Sequence, residues 1–365
     1  MNTSSFRFNW YIFGIPLFLS VLGISSMFSL KAFDIAYNQI LFVVIGCILA
    51  FILSKIDIKL IINYAPILFV VVLIITAGTL IFGVTRNATT AWYQFFGFTF
   101  QPSEILKVVY ILALARYFLN NTYHTTVHVI KSLCIYTLPV LLVLYLQRDM
   151  GTAFVFMFSW FCMILSISFS MIEKKRLITL FISGAIILGI LAVFLLQNYQ
   201  TERLAVFPDH LLLRLNHHPD MGYQVDQSLI AIGSTSFFGK GLGNGTQTIN
   251  EFLPEPHNDF IFPSIVESMG ISSAILILCC YAFLLYKIYM ITVKCQQIYT
   301  DVVIAGVLGI FFFHIFQNIG MTIGLMPVTG ISLPFMSSGG SFTILSFLLV
   351  GLCQGLLLQY KKHSL

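Results

Sequence analysis

Along the chain, long apolar runs alternate with short polar breaks, and no stretch keeps the strict apolar–polar alternation of a half-buried strand. Apolar windows fall near 11–30, 40–54, 64–83, 104–118, 132–146, 153–172, 177–196, 264–286, 301–323 and 342–360. About 20 residues of helix cross a bilayer, and inside lipid only a helix or a closed barrel satisfies its own backbone. The pattern therefore predicts an all-α, polytopic helical membrane protein of about ten transmembrane helices. The first window reads as a retained span. It is longer than a signal-peptide core, lacks a small-x-small cleavage site and follows a single basic residue, Arg7.

Composition agrees. Of 365 residues, 58% are hydrophobic and only 9% charged, against about 25% charged in soluble domains. A soluble enzyme, a disordered chain and a coiled coil are excluded. The net charge of +5 does not point to nucleic acid, because the basic residues are scattered between apolar runs. With the N-terminus inside, cytoplasmic segments hold Arg7, Lys55, Lys59, Arg116, Lys131, Lys174, Lys175, Arg176, Lys287, Lys294, Lys361 and Lys362. The opposite side holds Lys31, Arg86, Arg148, Arg203, Arg214 and Lys240, with Lys107 inside a span. This roughly two-fold bias predicts both termini in the cytoplasm. The seven cysteines form no CxxC and read as small core hydrophobes, with no disulfide framework and no zinc site.

Residues 197–263 break the pattern. Their polarity would be costly in lipid, so they are expected to form a long extracytoplasmic loop between helices 7 and 8, within a single domain spanning 1–365. In this loop His217, His218 and Asp220 have metal-ligating side chains at an unspecific spacing, and read as solvated polar residues.

Polar groups gather in a few further places. Arg86 through Trp92 leads into Gln101-Pro102-Ser103-Glu104-Ile105-Leu106-Lys107. Pro102 reads as a helix start, and Glu104 and Lys107 share one helical face. They form either a structural ion pair or the wall of a polar cavity inside the membrane. Gln147-Arg148-Asp149 reads as a tight outer turn in which Asp149 caps the next helix. From Glu251 to Phe262, three carboxylates and His257 crowd the start of a span. A carboxylate partly stripped of water there is a better proton acceptor, although a solvated acidic loop or a cap at Asp259 is equally open. The Gly-, Pro- and Ser-rich run from Asn318 to Ser341 reads as a re-entrant or extended turn, tolerated at membrane depth only where it lines a protein cavity.

Taken in order, these pieces resemble the SEDS family (shape, elongation, division, sporulation), in its RodA-like branch of peptidoglycan polymerases. The resemblance spans most of the chain. It is carried by Phe100-Gln101-Pro102-Ser103-Glu104 with Lys107, and by Gln147 with Asp149-Met150-Gly151-Thr152. Gln227-Ser228 with Ala231-Ile232-Gly233 and Gly239-Lys240-Gly241 follow. The last pieces are Phe252-Leu253-Pro254-Glu255, His257-Asn258-Asp259-Phe260-Ile261-Phe262, and Asn318 through Ser341. The approach Gly245-Thr246-Gln247 looks more like the elongation branch than the division branch.

The resemblance implies a glycosyltransferase acting on lipid II, the undecaprenyl-pyrophosphate-linked disaccharide-peptide, on the outer face of the bacterial cytoplasmic membrane. The family's essential aspartate falls on Asp259, expected to act as general base on a sugar hydroxyl. One carboxylate suffices, because pyrophosphate departs without protonation, unlike the leaving group of a two-carboxylate glycosidase. Glu104, Lys107, Arg86, Trp92, Gln101, Asp149, Lys240, Glu255, His257 and Ser337 are the expected substrate-binding residues. Lys107, Arg86, Arg203, Arg214, Lys240 or a divalent cation would neutralise the leaving pyrophosphate. Expected partners are a class B penicillin-binding protein and other membrane proteins of the elongation complex. Where the family usually has Arg before the Trp, Tyr before the Gly, Pro after the Gln and a second glutamate, this chain has Ala91, Ser338, Arg148 and Ser268. Arg86 or Arg148 is expected to supply the charge missing at Ala91. A lipid II flippase and a non-catalytic scaffold are the competing readings. A flippase needs charge along its whole transit path, whereas these groups concentrate near one face.

Overall fold

The computed structural model describes residues 9–86, 89–95, 98–120, 125–167, 221–295 and 297–363, with a few positions between 172 and 179. In chain order the helices are α1 Trp10–Ser29, α2 Phe33–Lys55 and α3 Ile58–Phe82. Strands β1 Val84–Arg86, β2 Thr89–Phe95 and β3 Phe98–Phe100 follow. Then come α4 Pro102–Leu119, α5 Thr126–Leu146, α6 Met150–Leu165, α7 Met221–Gly233 and the single turn α8 Thr246–Ile249. The last are α9 Ile261–Met269, α10 Ile271–Cys295, α11 Ile298–Thr322 and α12 Gly340–His363. Among the described residues seven helices are long and apolar enough to cross a membrane: α1, α2, α3, α5, α10, α11 and α12. The chain is a multi-pass helical membrane protein. Helix α4 is 18 residues long but charged at Glu104, Lys107 and Arg116, and the apolar α6 has only 16. The expected seventh span lies almost entirely outside the described residues.

Local sequence accounts for the breaks. Pro139 has no N–H to give the carbonyl four residues back, and just before it the backbone widens into a π turn over Leu133–Thr137. Asp57 caps α3, its side chain accepting from Lys59 N at 3.0 Å. The span expected at 264–286 is divided by Gly270 into α9 and α10. Gly270 has φ +87°, and a Cβ there would meet Gly239 N at 2.3 Å, so the backbone turns where the 237–241 segment lies against it.

Small residues set the tightest helix contact. A Cβ on Gly351 of α12 would come within 2.5 Å of the Ala50 carbonyl oxygen in α2, and Gly46 of α2 takes the Phe347 ring. In lipid, close packing of this kind replaces the hydrophobic drive that associates helices in water. Cys295 and Cys353 are buried as expected, but Cys134 and Cys279 point outward, where a membrane protein meets lipid rather than water.

Two features depart from the expected all-helical spans and loops. Residues 84–86, 89–95 and 98–100 form a small antiparallel sheet in the order β1-β2-β3, with Val84 opposite Trp92 and Tyr93 opposite Phe100. The described part of the expected loop at 197–263 is folded, carrying α7 and α8. His217, His218, Asp220, Arg203, Arg214 and Lys174 lie outside the described residues.

Candidate functional site

The ends of α2, α4, α6, α11 and α12 meet at one end of the bundle, with the sheet and the 234–260 segment beside them. Here residues 251–260 form a run of turns. Glu255 takes φ +45°, and its carbonyl accepts from Asn258 N at 3.0 Å and Phe260 N at 3.3 Å. This turn delivers Asp259 half-buried, just before α9. The fully buried Asn318 of α11 fixes it. Its Nδ2 donates to the Asp259 carbonyl at 2.9 Å and to the Ile331 carbonyl at 2.8 Å. Gly330 sits opposite, where a Cβ would lie 3.4 Å from Asp259 Oδ2. The carboxylate is thus aimed along the non-helical 323–339 segment.

That segment runs through the protein as irregular backbone, as its Gly, Pro and Ser content predicts, and side chains satisfy it. Gln317 Nε2 donates to the Pro327 carbonyl at 2.8 Å. Buried Gln39, from α2, donates to the Ser337 carbonyl at 3.1 Å and accepts from Gly339 N at 3.2 Å. Ser337 Oγ donates to the Asn258 carbonyl at 2.8 Å and accepts from Leu333 N at 2.8 Å. Phe335, at φ +66° and buried, is held between the Phe311 and Phe347 rings. A bulky residue in that conformation persists only where its surroundings over-determine it.

Glu104 and Lys107 meet as their spacing predicts. Lys107 Nζ lies 2.8 Å from Glu104 Oε1 and 3.0 Å from Oε2, both side chains buried. Its third neighbour is His314 Nε2 of α11, at 3.4 Å. The other ring nitrogen, Nδ1, faces the Ser332 carbonyl at 3.0 Å and must carry the proton, which leaves Nε2 as acceptor for the ammonium. Phe342 stacks on the imidazole at 4.5 Å and lies 5.5 Å from Nζ. All three Lys107 N–H groups therefore have protein partners, and contact with a phosphate requires exchanging one of them. The cluster reaches Asp259 through a chain of contacts, because Ser332 Oγ bonds Asn258 Oδ1 at 3.3 Å.

The other expected residues divide into two groups. Gln101 joins the site: its Nε2 donates to Asp149 Oδ2 at 3.0 Å and its backbone N to Ser341 Oγ at 3.2 Å. Asp149 also caps α6, accepting from Thr152 N at 3.1 Å. Trp92 is half-buried on β2, next to buried Ala91. Thr90 N bonds the Gln147 carbonyl at 3.2 Å, which sets Arg148, exposed and at φ +62°, beside the strand that carries Ala91. Arg86 ends β1, paired with Thr89.

Lys240 instead ties down the 234–248 segment. Its Nζ donates to Ser234 Oγ at 2.8 Å, Thr246 Oγ1 at 2.8 Å and Glu267 Oε1 at 2.9 Å. The fully buried Glu267 also accepts from Gln247 N and Thr248 N at 2.9 and 3.1 Å. Glu255 is exposed, 3.6 Å from His257 Nε2. Burial holds the His257 imidazole below the ordinary histidine range against the opposing pull of Glu255, so the ring is neutral at pH 7. Among the described residues no group of three or more His, Cys, Asp or Glu side chains is arranged to hold a metal ion. A divalent cation here would take most of its ligands from diphosphate and water, as Mg²⁺ does in phosphate sites.

Sequence reasoning missed His314, Gln39 and Glu267. For the first two a signal exists, since a His or Gln inside an apolar span is a site candidate by default.

The family model of the FtsW/RodA/SpoVE cell cycle proteins matches residues 4–362. Peptidoglycan glycosyltransferase MrdB of Escherichia coli (strain K12) is 32% identical over 306 residues, covering 83% of this chain and 80% of the relative. Stage V sporulation protein E of Bacillus subtilis (strain 168) is 30% identical over 372 residues and covers 96% of each. A chain of a peptidoglycan synthase complex that coordinates polymerization and crosslinking superposes with a TM-score of 0.81 at 24% identity, covering 98% of both. The rod shape determining protein RodA of Thermus thermophilus superposes with a TM-score of 0.71 at 24% identity, also over 98% of both. With the irregular 323–339 segment, the Asp259 turn and the buried Glu104–Lys107 pair set in this frame, the chain belongs to the FtsW/RodA/SpoVE family.

Proposed function

We propose that the chain is a peptidoglycan glycosyltransferase that polymerises lipid II into glycan strands during cell elongation. It would work at the outer face of the bacterial cytoplasmic membrane, with both termini cytoplasmic and residues 1–365 acting as a single membrane domain. The observation that carries this reading is the Asp259 carboxylate, half-buried and held through its backbone by Asn318 at one end of the bundle. It takes the proton from the acceptor sugar hydroxyl as that oxygen attacks the anomeric carbon of the growing strand. The C–O bond to the lipid diphosphate breaks, and the diphosphate leaves as an anion that needs positive charge nearby. Gln101, Asp149, Trp92 and Ser337 shape the surroundings. Relatives named peptidoglycan glycosyltransferases support the reaction. The fold shared with a complex that coordinates polymerization and crosslinking supports a class B penicillin-binding protein as partner. Other elongation-complex membrane proteins would gather around the pair.

Purified protein, reconstituted with such a partner and labelled lipid II, is expected to give glycan ladders on a gel. Translocation of labelled lipid II across the bilayer without ladders would favour the flippase reading instead. Neither translocation nor ladders would leave a scaffold.

The charge missing at Ala91 is assigned to Arg86 or Arg148. At least one of Arg86→Ala and Arg148→Ala is expected to slow polymerisation about ten-fold or more. Wild-type rates for both, and for the double variant, remove that assignment.

His314 acts as a positioning residue between Lys107 and the Asn258–Asp259 turn. His314→Phe keeps the ring stacked on Phe342 but loses both nitrogens, and is expected to lower kcat about ten-fold at nearly constant KM. His314→Asn can still donate to the Ser332 carbonyl and should recover part of the loss. Equal rates for all three proteins would leave His314 a packing residue only.

A further inference from the structure

At the end of the bundle opposite Asp259, a cavity of about 90 Å³ opens where α1, α10 and α12 meet, with Asn9, Lys287, Lys294 and Leu357 among its lining residues. Its most telling member is Lys287. The ammonium lies 4.8 Å from the Phe283 ring centroid, 5.1 Å from Tyr11 and 5.8 Å from Tyr286. Aromatic faces attract a cation's charge but offer no acceptor along its N–H directions. Among the described residues no acidic side chain pairs with Lys287 or Lys294.

Depth sharpens the point. Lys287 precedes the end of α10 by eight residues, which sets it about 12 Å inside that end at 1.5 Å per residue. Lys294 lies two turns further out on the same face. With the end of α10 set at the membrane boundary, Lys294 lies at that boundary and Lys287 at the depth where the acyl chains begin. Trp10, Tyr11, Tyr286 and Tyr289 are exposed around them, the arrangement of an interfacial aromatic belt. An ammonium at this depth is favoured by a nearby anion, and the headgroup layer of an anionic leaflet supplies one. The cavity has room for a phosphate group, and exposed Phe283 and Leu276, on the same face of α10 as Lys287, continue from it toward the bilayer centre as a track for acyl chains.

We propose that this cavity binds the phosphate of an anionic phospholipid headgroup, held between Lys287 and Lys294 with Tyr11 and Phe283 against the glycerol and upper chain. The chemistry recognised is a phosphate monoanion. The apolar rings on the membrane side assign it to a lipid rather than to free phosphate.

Trp10, next to Asn9 at the cavity, is a built-in reporter. In nanodiscs of phosphatidylcholine, the quenching lost in Trp10→Phe isolates its signal. Brominated phosphatidylglycerol is expected to quench that signal with about five-fold higher relative affinity than brominated phosphatidylcholine. In Lys287→Gln/Lys294→Gln the ratio should fall to about one, with unchanged quenching by phosphatidylcholine showing that the fold is intact. In neutral detergent, phosphatidylglycerol should raise the melting temperature of the wild type only, and inorganic phosphate of neither protein. A ratio near one in the wild type, an undiminished ratio in the double variant, or stabilisation by inorganic phosphate without any by phosphatidylglycerol would overturn the proposal.

Discussion

Asp259→Asn is expected to lower lipid II polymerisation about a thousand-fold while the protein still folds and still binds its substrate. The substitution is nearly isosteric, and the contacts that place the residue are made by its backbone: Asn318 Nδ2 donates to the Asp259 carbonyl, and the turn is closed by the Glu255 carbonyl. What disappears is the capacity to accept a proton. An amide cannot take one from a sugar hydroxyl, and a hydroxyl that keeps its proton is a poor nucleophile toward an anomeric carbon. The effect should therefore fall on kcat, with KM close to that of the wild type. Gel-resolved glycan ladders, run with the partner transpeptidase and labelled lipid II, measure it, and the melting temperature of each protein controls for folding. A variant that polymerises at a tenth of the wild-type rate or better would remove Asp259 as the base. The flippase and scaffold readings both expect ladders, if present at all, to be indifferent to this change.

The parts of this site that were legible from sequence are those whose physics is local. Asp149 as the cap of α6 follows from its place before an apolar run, and the Glu104–Lys107 pair from a spacing of three on a helix that opens with Pro102. The windows found the long described helices because hydropathy averages well over about 20 residues. They failed where the average is diluted: α2 starts at Phe33 rather than near 40, because Asp34, Asn38 and Gln39 lie in its first turns. The sheet escaped because β1 and β3 are only three residues long and adjacent Trp92 and Tyr93 put rings on opposite faces of β2, so no sustained period-2 signal arises. Gly270 gave no warning, since a lone glycine in an apolar run marks either a packed helix or a break, and only the backbone of 237–241 lying against it decides. Lys240 looked like a cation for the substrate because its acceptor, Glu267, lies far along the chain in an apolar stretch. His314 carried a signal as a histidine inside an apolar span, but its role follows only from Lys107 and Ser332 on its two nitrogens.

Breaking the Glu104–Lys107 pair should be the most destabilising change at the site. Glu104→Gln removes the anion and leaves the Lys107 ammonium, 1% exposed, with only neutral partners. An uncompensated buried charge costs about 3–5 kcal/mol, and Lys107→Met should cost a similar amount by stranding the carboxylate. The double variant Glu104→Leu/Lys107→Met removes both charges and keeps similar volume, so it should recover most of that loss. Polymerisation then separates structure from chemistry. If the pair only braces α4 against α11, activity should return with stability in the double variant. If the ammonium contributes positive charge when the diphosphate leaves, stability returns and activity stays depressed about a hundred-fold. The second outcome is expected, because replacing a buried ion pair by apolar residues of similar volume is often neutral for stability, whereas the leaving diphosphate still needs positive charge. The contacts from Lys107 through His314 and Ser332 to Asn258 connect the pair to the Asp259 turn.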